Sequence, residues 1–452
     1  MKVLHVIPSV SERSGGPAQA IAPMCRALQE QGIDVTLATT DAGLSGEEQR
    51  AKRKGQEGDG GRQTAGGRRQ EAGGSGHEAG DGRQTAEGNS SPLALGPLPL
   101  DWKDVPTIFF PSQWGESFKY SRPFAKWLDE HVAEFDVVHI HAVFNHACIA
   151  AARACRKRGV PHIVRPLGTL DPWSMKQKPL RKKVFWHAGI ETMLTNAAAI
   201  QYTAKGEQQA VEESLKLNHG VVVPLGVEMK SLEDSANVKD LSEQFPALKE
   251  HPYVLVLSRL HPKKALEVLL DAFLSLLKSK EFQAWRLVLA GEGPRDYVAG
   301  LKQTVEAHNA GDVVLFPGWL DGDKKIVALR HASLLALTSY HENFGLCVME
   351  ALACGVPVLI SPHVNLAPEI EAAGAGWIAP VDKGSLETAL AEALSSEEER
   401  SRRGKAGLEL ANHFTWRRIA SQLISLYDSV LSRAPAAQVS DNARRARLQS
   451  GN

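Results

Sequence analysis

Two carboxylates eight residues apart, Glu342 and Glu350, bracket Asn343, Phe344, Gly345 and Leu346 in the stretch HENFGLCVMEALACGVPVLIS. The Asn-Phe-Gly reads as a turn and the run after it as a helix ending at Gly355. Glu342 then stands in a loop, and Glu350 lies about a turn and a half inside the helix. Two acids beside a phosphate would repel it. They make sense if they accept hydrogen bonds from neutral hydroxyls while cations and backbone N–H groups take the charge. Such cations occur in LSRLHPKKALEVLL, where Arg259, Lys263 and Lys264 follow an apolar run and precede a helix whose dipole adds to their field. A ligand carrying a ribose, a diphosphate and a sugar offers every group this set recognises. Glu350 suits the ribose, Glu342 the sugar, and Arg259, Lys264 and the loop amides the phosphates.

Other stretches carry weaker chemistry. Gly15 and Gly16 precede Pro17 at the first turn of a helix, where unpaired N–H groups can meet an anion. The spacing is not Gly-x-Gly-x-x-Gly, which argues against a dinucleotide oxidoreductase. Gly291-Glu292-Gly293-Pro294 is a tight turn after a strand that could seat a base or ribose. DVVHIHAVFNH puts His139, His141 and His146 near a strand end. No Cys or acid is spaced to complete a metal site, so His141 is read as a hydrogen-bond donor into a cleft. Asp321-Gly322-Asp323 imitates a metal-binding Asp-x-Asp, but it precedes a helix and is better read as a capping loop. No metal is expected.

The elements that must position these residues follow from hydrophobic periodicity. Short apolar runs (KVLHVI, IDVTLAT, DVVHIH, PHIVRP, AAIQYT) alternate with helical patterns, and a second series (YVLVLS, WRLVLA, DVVLF, SLLALT, VPVLIS) begins after residue 252. Alternation of this kind implies parallel sheets covered on both faces. The expectation is therefore an α/β chain of two doubly wound, Rossmann-like domains facing a cleft. Residues 1–228 form the first and 229–415 the second, with a hinge near Pro224 to Lys230. Residues 416–433 read as a closing helix that packs back on the first domain, and 434–452 as a disordered tail. Residues 45–91 contain no Val, Ile, Leu, Met, Phe, Trp, Tyr or Cys and repeat GRQTA twice, so they are expected to be a disordered insertion.

Composition excludes several classes. The chain has 452 residues, 43% of them hydrophobic, and its 52 basic residues equal its 52 acidic ones. No global field draws it to nucleic acid, and no nucleic-acid partner is expected. Five cysteines without Cys-x-x-Cys spacing suggest neither a zinc site nor a disulfide framework. The N-terminal apolar run is too short for a signal segment, which points to the cytoplasm. One local field stands out. RPLGTLDPWSMKQKPLRKKVFW interleaves Lys176, Lys178, Arg181, Lys182 and Lys183 with Trp173, Phe185 and Trp186. That mixture suits the inner face of the cytoplasmic membrane or a lipid-linked phosphate acceptor.

Glu342-Asn343-Phe344-Gly345 with Glu350 and the following ALACGVPV resembles the Glu-x7-Glu signature of retaining, GT-B-fold glycosyltransferases of family 4, the glycosyl transferases group 1. Arg259 and Lys264 match that family's diphosphate-binding pair, Gly15-Gly16 its glycine loop, and His141 the histidine that faces the donor sugar. Ala265 stands where the family usually has glycine. The resemblance implies transfer of a sugar from a nucleotide diphosphate sugar, with retention and without a bound metal, to a saccharide or lipid-linked acceptor. It implies a place in polysaccharide or glycoconjugate assembly. Two rival readings are a catalytically silent nucleotide-sugar-binding subunit and a sugar-nucleotide epimerase built on the same fold.

Overall fold

Runs that are apolar on both sides can be buried only between layers of helices, and the computed structural model shows two such layered units. It describes residues 1–11, 15–43, 98–102, 104–114, 118–229, 241–320 and 322–433. The expected insertion at 45–91, the tail at 434–452 and the acid at position 321 lie outside the described residues.

The first sheet has eight strands in the order β3-β4-β2-β1-β5-β6-β7-β8. These are β1 Lys2–Ile7, β2 Asp34–Thr40, β3 Leu98–Trp102, β4 Val105–Phe110, β5 Val137–His141, β6 His162–Arg165, β7 Ala199–Tyr202 and β8 Gly220–Val222. All neighbours run parallel except the β3–β4 pair. The second sheet has six parallel strands in the order β11-β10-β9-β12-β13-β14. These are β9 Tyr253–Leu257, β10 Arg286–Ala290, β11 Val314–Gly318, β12 Leu334–Leu337, β13 Val358–Ile360 and β14 Gly376–Ile378.

Strand order reverses beside β1 in the first sheet, between it and β5, and beside β9 in the second, between it and β12. Crevices open at such reversals, outside the carboxyl ends of the strands. The loops that carry the candidate residues leave from those ends: Gly15 and Gly16 after β1, Arg259 to Lys264 after β9, and Glu342 to Gly345 after β12.

One apolar cluster spans both units, from Val3, Ile21 and Leu28 to Leu255, Leu335 and Ile360. The helix Trp416–Arg433 contributes Ile419, Leu423 and Tyr427 to it and lies along the helix Gly16–Gln29. Two hydrogen bonds of 2.8 Å fasten that contact, Gln31 Nε2 to the Arg417 carbonyl and Ser421 Oγ to Gln31 Oε1. The chain crosses between the units beside Val227, whose N–H donates to the Phe414 carbonyl at 2.8 Å. No helix among the described residues is long and apolar enough to cross a membrane.

Candidate active site

The loops from the two sheets enclose a cavity of about 410 Å³. Gly15, Gly16, Arg259, Lys263, Lys264, Gly291, Glu342, Asn343, Phe344, Gly345, Leu346 and Glu350 all lie in its wall, so the structure gathers twelve of the residues singled out in the sequence.

Two helix N-termini face each other there. Gly15, with φ 91°, turns the chain into the helix Gly16–Gln29, and Gly345, with φ 74°, opens the helix Leu346–Ala353. Both φ values lie where only glycine sits without strain. A Cβ on Gly16 would come 3.2 Å from Leu346 Cδ1, so the two helix starts approach through the missing side chain. A third glycine is still more constrained. Gly291 has φ 144°, its N–H donates to the Gly318 carbonyl at 2.7 Å, and a Cβ there would fall 1.8 Å from the Ser258 carbonyl oxygen.

The carboxylates do not stand free. Glu342 is bonded to Lys264, and Glu350 to Lys325 at 2.6 Å, with all four side chains only 12–20% exposed. Burial alone would raise the Glu342 carboxyl, but the Lys264 charge and hydrogen bond, with Lys263 behind them, hold it below the usual range. Burial depresses the Lys263 ammonium, against the pull of Glu342. Arg259 is exposed to the cavity mouth. Ala265 has φ 51°, which explains why glycine suits that position.

Among the wall residues not assigned from sequence, Lys325, the turn after β6 and His341 carry polar or strained groups. Lys325 sits in the helix Gly322–His331, where a lysine in a polar helical start carries no signal of its own. The turn Leu167-Gly168-Thr169 after β6 supplies the wall from the first unit, and positive φ at Leu167 and Gly168, 58° and 72°, is its only mark. His341 also faces the cavity, 3.6 Å from Asp171 and stacked on Trp173, while Lys263 lies 4.7 Å over the same Trp173 ring.

Two expectations need correction. His141 does not reach the cavity. Strand alternation turns it, with His5 and His139, onto the face of the first sheet that the helix Trp416–Arg433 covers, and all three are 0% exposed. His5 Nδ1 and His141 Nε2 are 2.9 Å apart, and His139 Nδ1 is 2.9 Å from Tyr427 Oη. Burial, with the nearby Arg165 charge adding to it, lowers His5 to about 3 and lowers His141 well below the ordinary value. Donor nitrogens of the three rings lie within 4.8 Å of one another, a metal-like grouping in which His5 replaces the His146 considered from sequence. The buried Arg165 guanidinium beside it disfavours a cation. Glu292 is likewise displaced. Its side chain is exposed and outside the cavity wall, and its carbonyl accepts from Leu260 N–H at 2.8 Å.

Of the basic segment, Lys176, Lys178, Arg181 and Lys183 are exposed. Lys182 is turned inward, donating to the Ser174 carbonyl at 2.6 Å and lying 4.8 Å over the Phe144 ring.

Two Rossmann-like domains face each other across a cavity lined by two helix N-termini, clustered cations and lysine-paired carboxylates, the kind of crevice in which α/β proteins bind ligands. Comparison with known proteins agrees. The family model for glycosyl transferases group 1 matches residues 237–410, and that for a glycosyl transferase 4-like domain matches residues 15–226. A phosphatidyl-myo-inositol mannosyltransferase of Mycobacterium leprae is 28% identical over 321 residues, covering 70% of this chain and 78% of that one. The corresponding match in Mycobacterium tuberculosis covers 48% of this chain and 56% of that one, so the chain spans little more than half of that relative. Mannosylfructose-phosphate synthase of Agrobacterium fabrum is 31% identical over 186 residues, 40% of this chain and 41% of that one. Among solved structures, Anabaena HepE in complex with UDP and glucose superposes with a TM-score of 0.67 at 18% identity, covering 95% of this chain and all of that one. The chain belongs to the group 1 glycosyltransferases, with the GT-B fold, and is a glycosyltransferase enzyme.

Proposed function

We propose that the enzyme transfers a hexosyl group, with retention at the anomeric carbon, from a nucleotide diphosphate sugar to a saccharide or lipid-linked acceptor in cell-surface polysaccharide or glycoconjugate assembly. The observation that carries this reading is the pairing of each cavity carboxylate with a lysine, Glu342 with Lys264 and Glu350 with Lys325. A paired carboxylate keeps lone pairs for hydroxyls, and its lysine keeps N–H donors for phosphate. Cleaving the bond to the sugar builds charge on the departing diphosphate. Arg259, Lys263, Lys264 and the N–H groups at the start of the helix Leu346–Ala353 are placed to stabilise it, each well-placed donor being worth about 3 kcal/mol. This set supplies the positive charge from side chains, and the proposal includes no metal. Retention rests on the Glu-x7-Glu resemblance, and the leaving phosphate is the group assigned to take the acceptor proton.

We place the catalytic work on Arg259, Lys264 and Glu342. Gly15, Gly16, Gly291, Phe344, Gly345, Leu346 and Glu350 are assigned to donor binding. The exposed cations Lys176, Lys178, Arg181 and Lys183 are assigned to contact with the inner face of the cytoplasmic membrane. The test is calorimetric titration with UDP, GDP and ADP, followed by incubation of the matching radiolabelled sugar donors with a membrane extract and NMR of the product anomer. Binding of one nucleotide and a product of unchanged anomeric configuration is expected. An inverted product overturns retention, and no nucleotide binding overturns the donor site.

A further inference from the structure

Asn343 belongs to the donor-side loop after β12, yet the polar end of its side chain engages the other domain. Its amide lies 2.8 Å from Thr203 Oγ1. Turned so that its nitrogen faces Glu207, it is 3.2 Å from both carboxylate oxygens. Burial raises the Glu207 carboxyl while its N–H partners pull it back down; as a carboxylate it only accepts, and the single Thr203 hydroxyl hydrogen then goes to Asn343 Oδ1. Glu207 is 0% exposed. Inside its own domain it accepts from Gly168 N–H at 2.6 Å and Thr203 N–H at 2.8 Å, and Thr203 Oγ1, 2.9 Å away, donates to it whenever its one hydrogen is not given to Asn343. Gly168 and Asn343 are opposite walls of the cavity, and a Cβ on Gly168 would fall 2.9 Å from Asn343 Cβ. One buried carboxylate thus holds both walls.

We propose that Glu207, with Thr203, is a positioning latch: it captures Asn343 when the domains close and so sets the alignment of the donor-side loop against the Leu167–Thr169 turn. The two backbone N–H bonds within the first domain do not depend on closure, whereas the Thr203 hydroxyl turns from Glu207 to Asn343 Oδ1 and the freed acceptor capacity is filled only when the Asn343 amide arrives. A carboxylate suits this better than an amide. Glutamine at 207 would turn a donor toward either Gly168 N–H or Thr203 N–H. Asn343 then acts across the domain gap and not as a ligand of the donor sugar. This rests on the reading that the cavity holds the donor.

The test compares Asn343→Ala, Asn343→Asp and Thr203→Val with the wild type. It uses steady-state kinetics and small-angle scattering, with and without whichever of UDP, GDP or ADP the wild type binds. Misalignment of reacting groups should lower kcat by about a hundredfold in Asn343→Asp, which sets two carboxylates against each other, and by about tenfold in Asn343→Ala. Donor KM should stay within about threefold, because the phosphate and ribose contacts are untouched. Asn343→Asp should have a larger radius of gyration than the wild type with and without nucleotide, because the latch is engaged in the unliganded fold. A raised KM with unchanged kcat in Asn343→Ala makes Asn343 a donor ligand and overturns the latch. If the wild type binds none of the nucleotides, the donor reading falls. The unliganded radii still decide the latch: a larger radius in Asn343→Asp supports it, and equal radii overturn it.

Discussion

Lys264 and Glu342, 78 residues apart in sequence, are bonded side chain to side chain in the donor-side wall, at 12% and 20% exposure. Each holds the other in place, and neither can be removed without leaving an uncompensated charge in a largely desolvated site. Lys264→Ala should therefore lower kcat by about a hundredfold or more through the lost donor to the leaving group. It should also destabilise the domain, by up to about 3 kcal/mol, through the stranded carboxylate. Lys264→Met with Glu342→Gln should recover much of the stability and none of the activity. Transfer assays and thermal melts separate the two effects; wild-type kcat in Lys264→Ala would remove Lys264 from the mechanism.

The same pair fixes an acid limb. The Glu342 carboxyl is held below its ordinary value in the fold, so between the two values the unfolded chain binds more protons than the native one. Stability from this group is fully present above the ordinary carboxylate value and is lost as pH falls through the depressed one. Melting temperature should drop from pH 5 toward pH 3 with a slope that Glu342→Gln reduces. An identical slope in the variant would assign the acid limb to other groups.

A smaller correction lies next door. Ala265 is held at φ 51°, a conformation that costs a non-glycine residue roughly 1 kcal/mol, and its own methyl is buried. Ala265→Gly relieves that strain but gives up a buried methyl worth about 0.8 kcal/mol, so Tm or the denaturant midpoint should move by the equivalent of less than about 1 kcal/mol. By contrast Gly291→Ala puts a methyl 1.8 Å from the Ser258 carbonyl oxygen and should prevent the β9 and β10 ends from meeting, with a loss of several kcal/mol. A well-folded, active Gly291→Ala would show that this turn can move apart.

Much of the framework was legible because the interior strands are apolar on both faces, and the paired acids were legible because they break that pattern at fixed spacing. Short edge strands such as β8 and β14, of three residues each, carry no periodic signal and form only by pairing with a neighbour. His141 misled for a related reason. Its position at a strand end is right for a ligand, but its face is set by the parity of β5, which packs it with His5 and Arg165. The latch at Glu207 was invisible because its partners, Gly168, Thr203 and Asn343, are scattered over 176 positions and meet only in the folded chain.

The proposed membrane contact can be separated into charge and insertion. Leu180 and Val184 share one face of the short helix Pro179–Phe185, one turn apart, and are 82% and 67% exposed. Exposure of two large apolar side chains amid Lys176, Lys178, Arg181 and Lys183, with no acid between Pro172 and Ile190, favours an anionic interface over water. Each such cation contributes about 1 kcal/mol near an anionic surface, and this part is screened by salt, whereas the apolar part is not. Leu180→Asp with Val184→Asp should cut co-sedimentation with phosphatidylglycerol vesicles at least tenfold at any salt concentration. Replacing Lys176 and Lys183 by Ala should weaken it mainly at low salt. Lys182→Ala should leave sedimentation almost unchanged and lower thermal stability instead, since that ammonium is already held by the Ser174 carbonyl and the Phe144 ring. Equal sedimentation of the wild type and the double Asp variant would mean that this face meets something other than a bilayer.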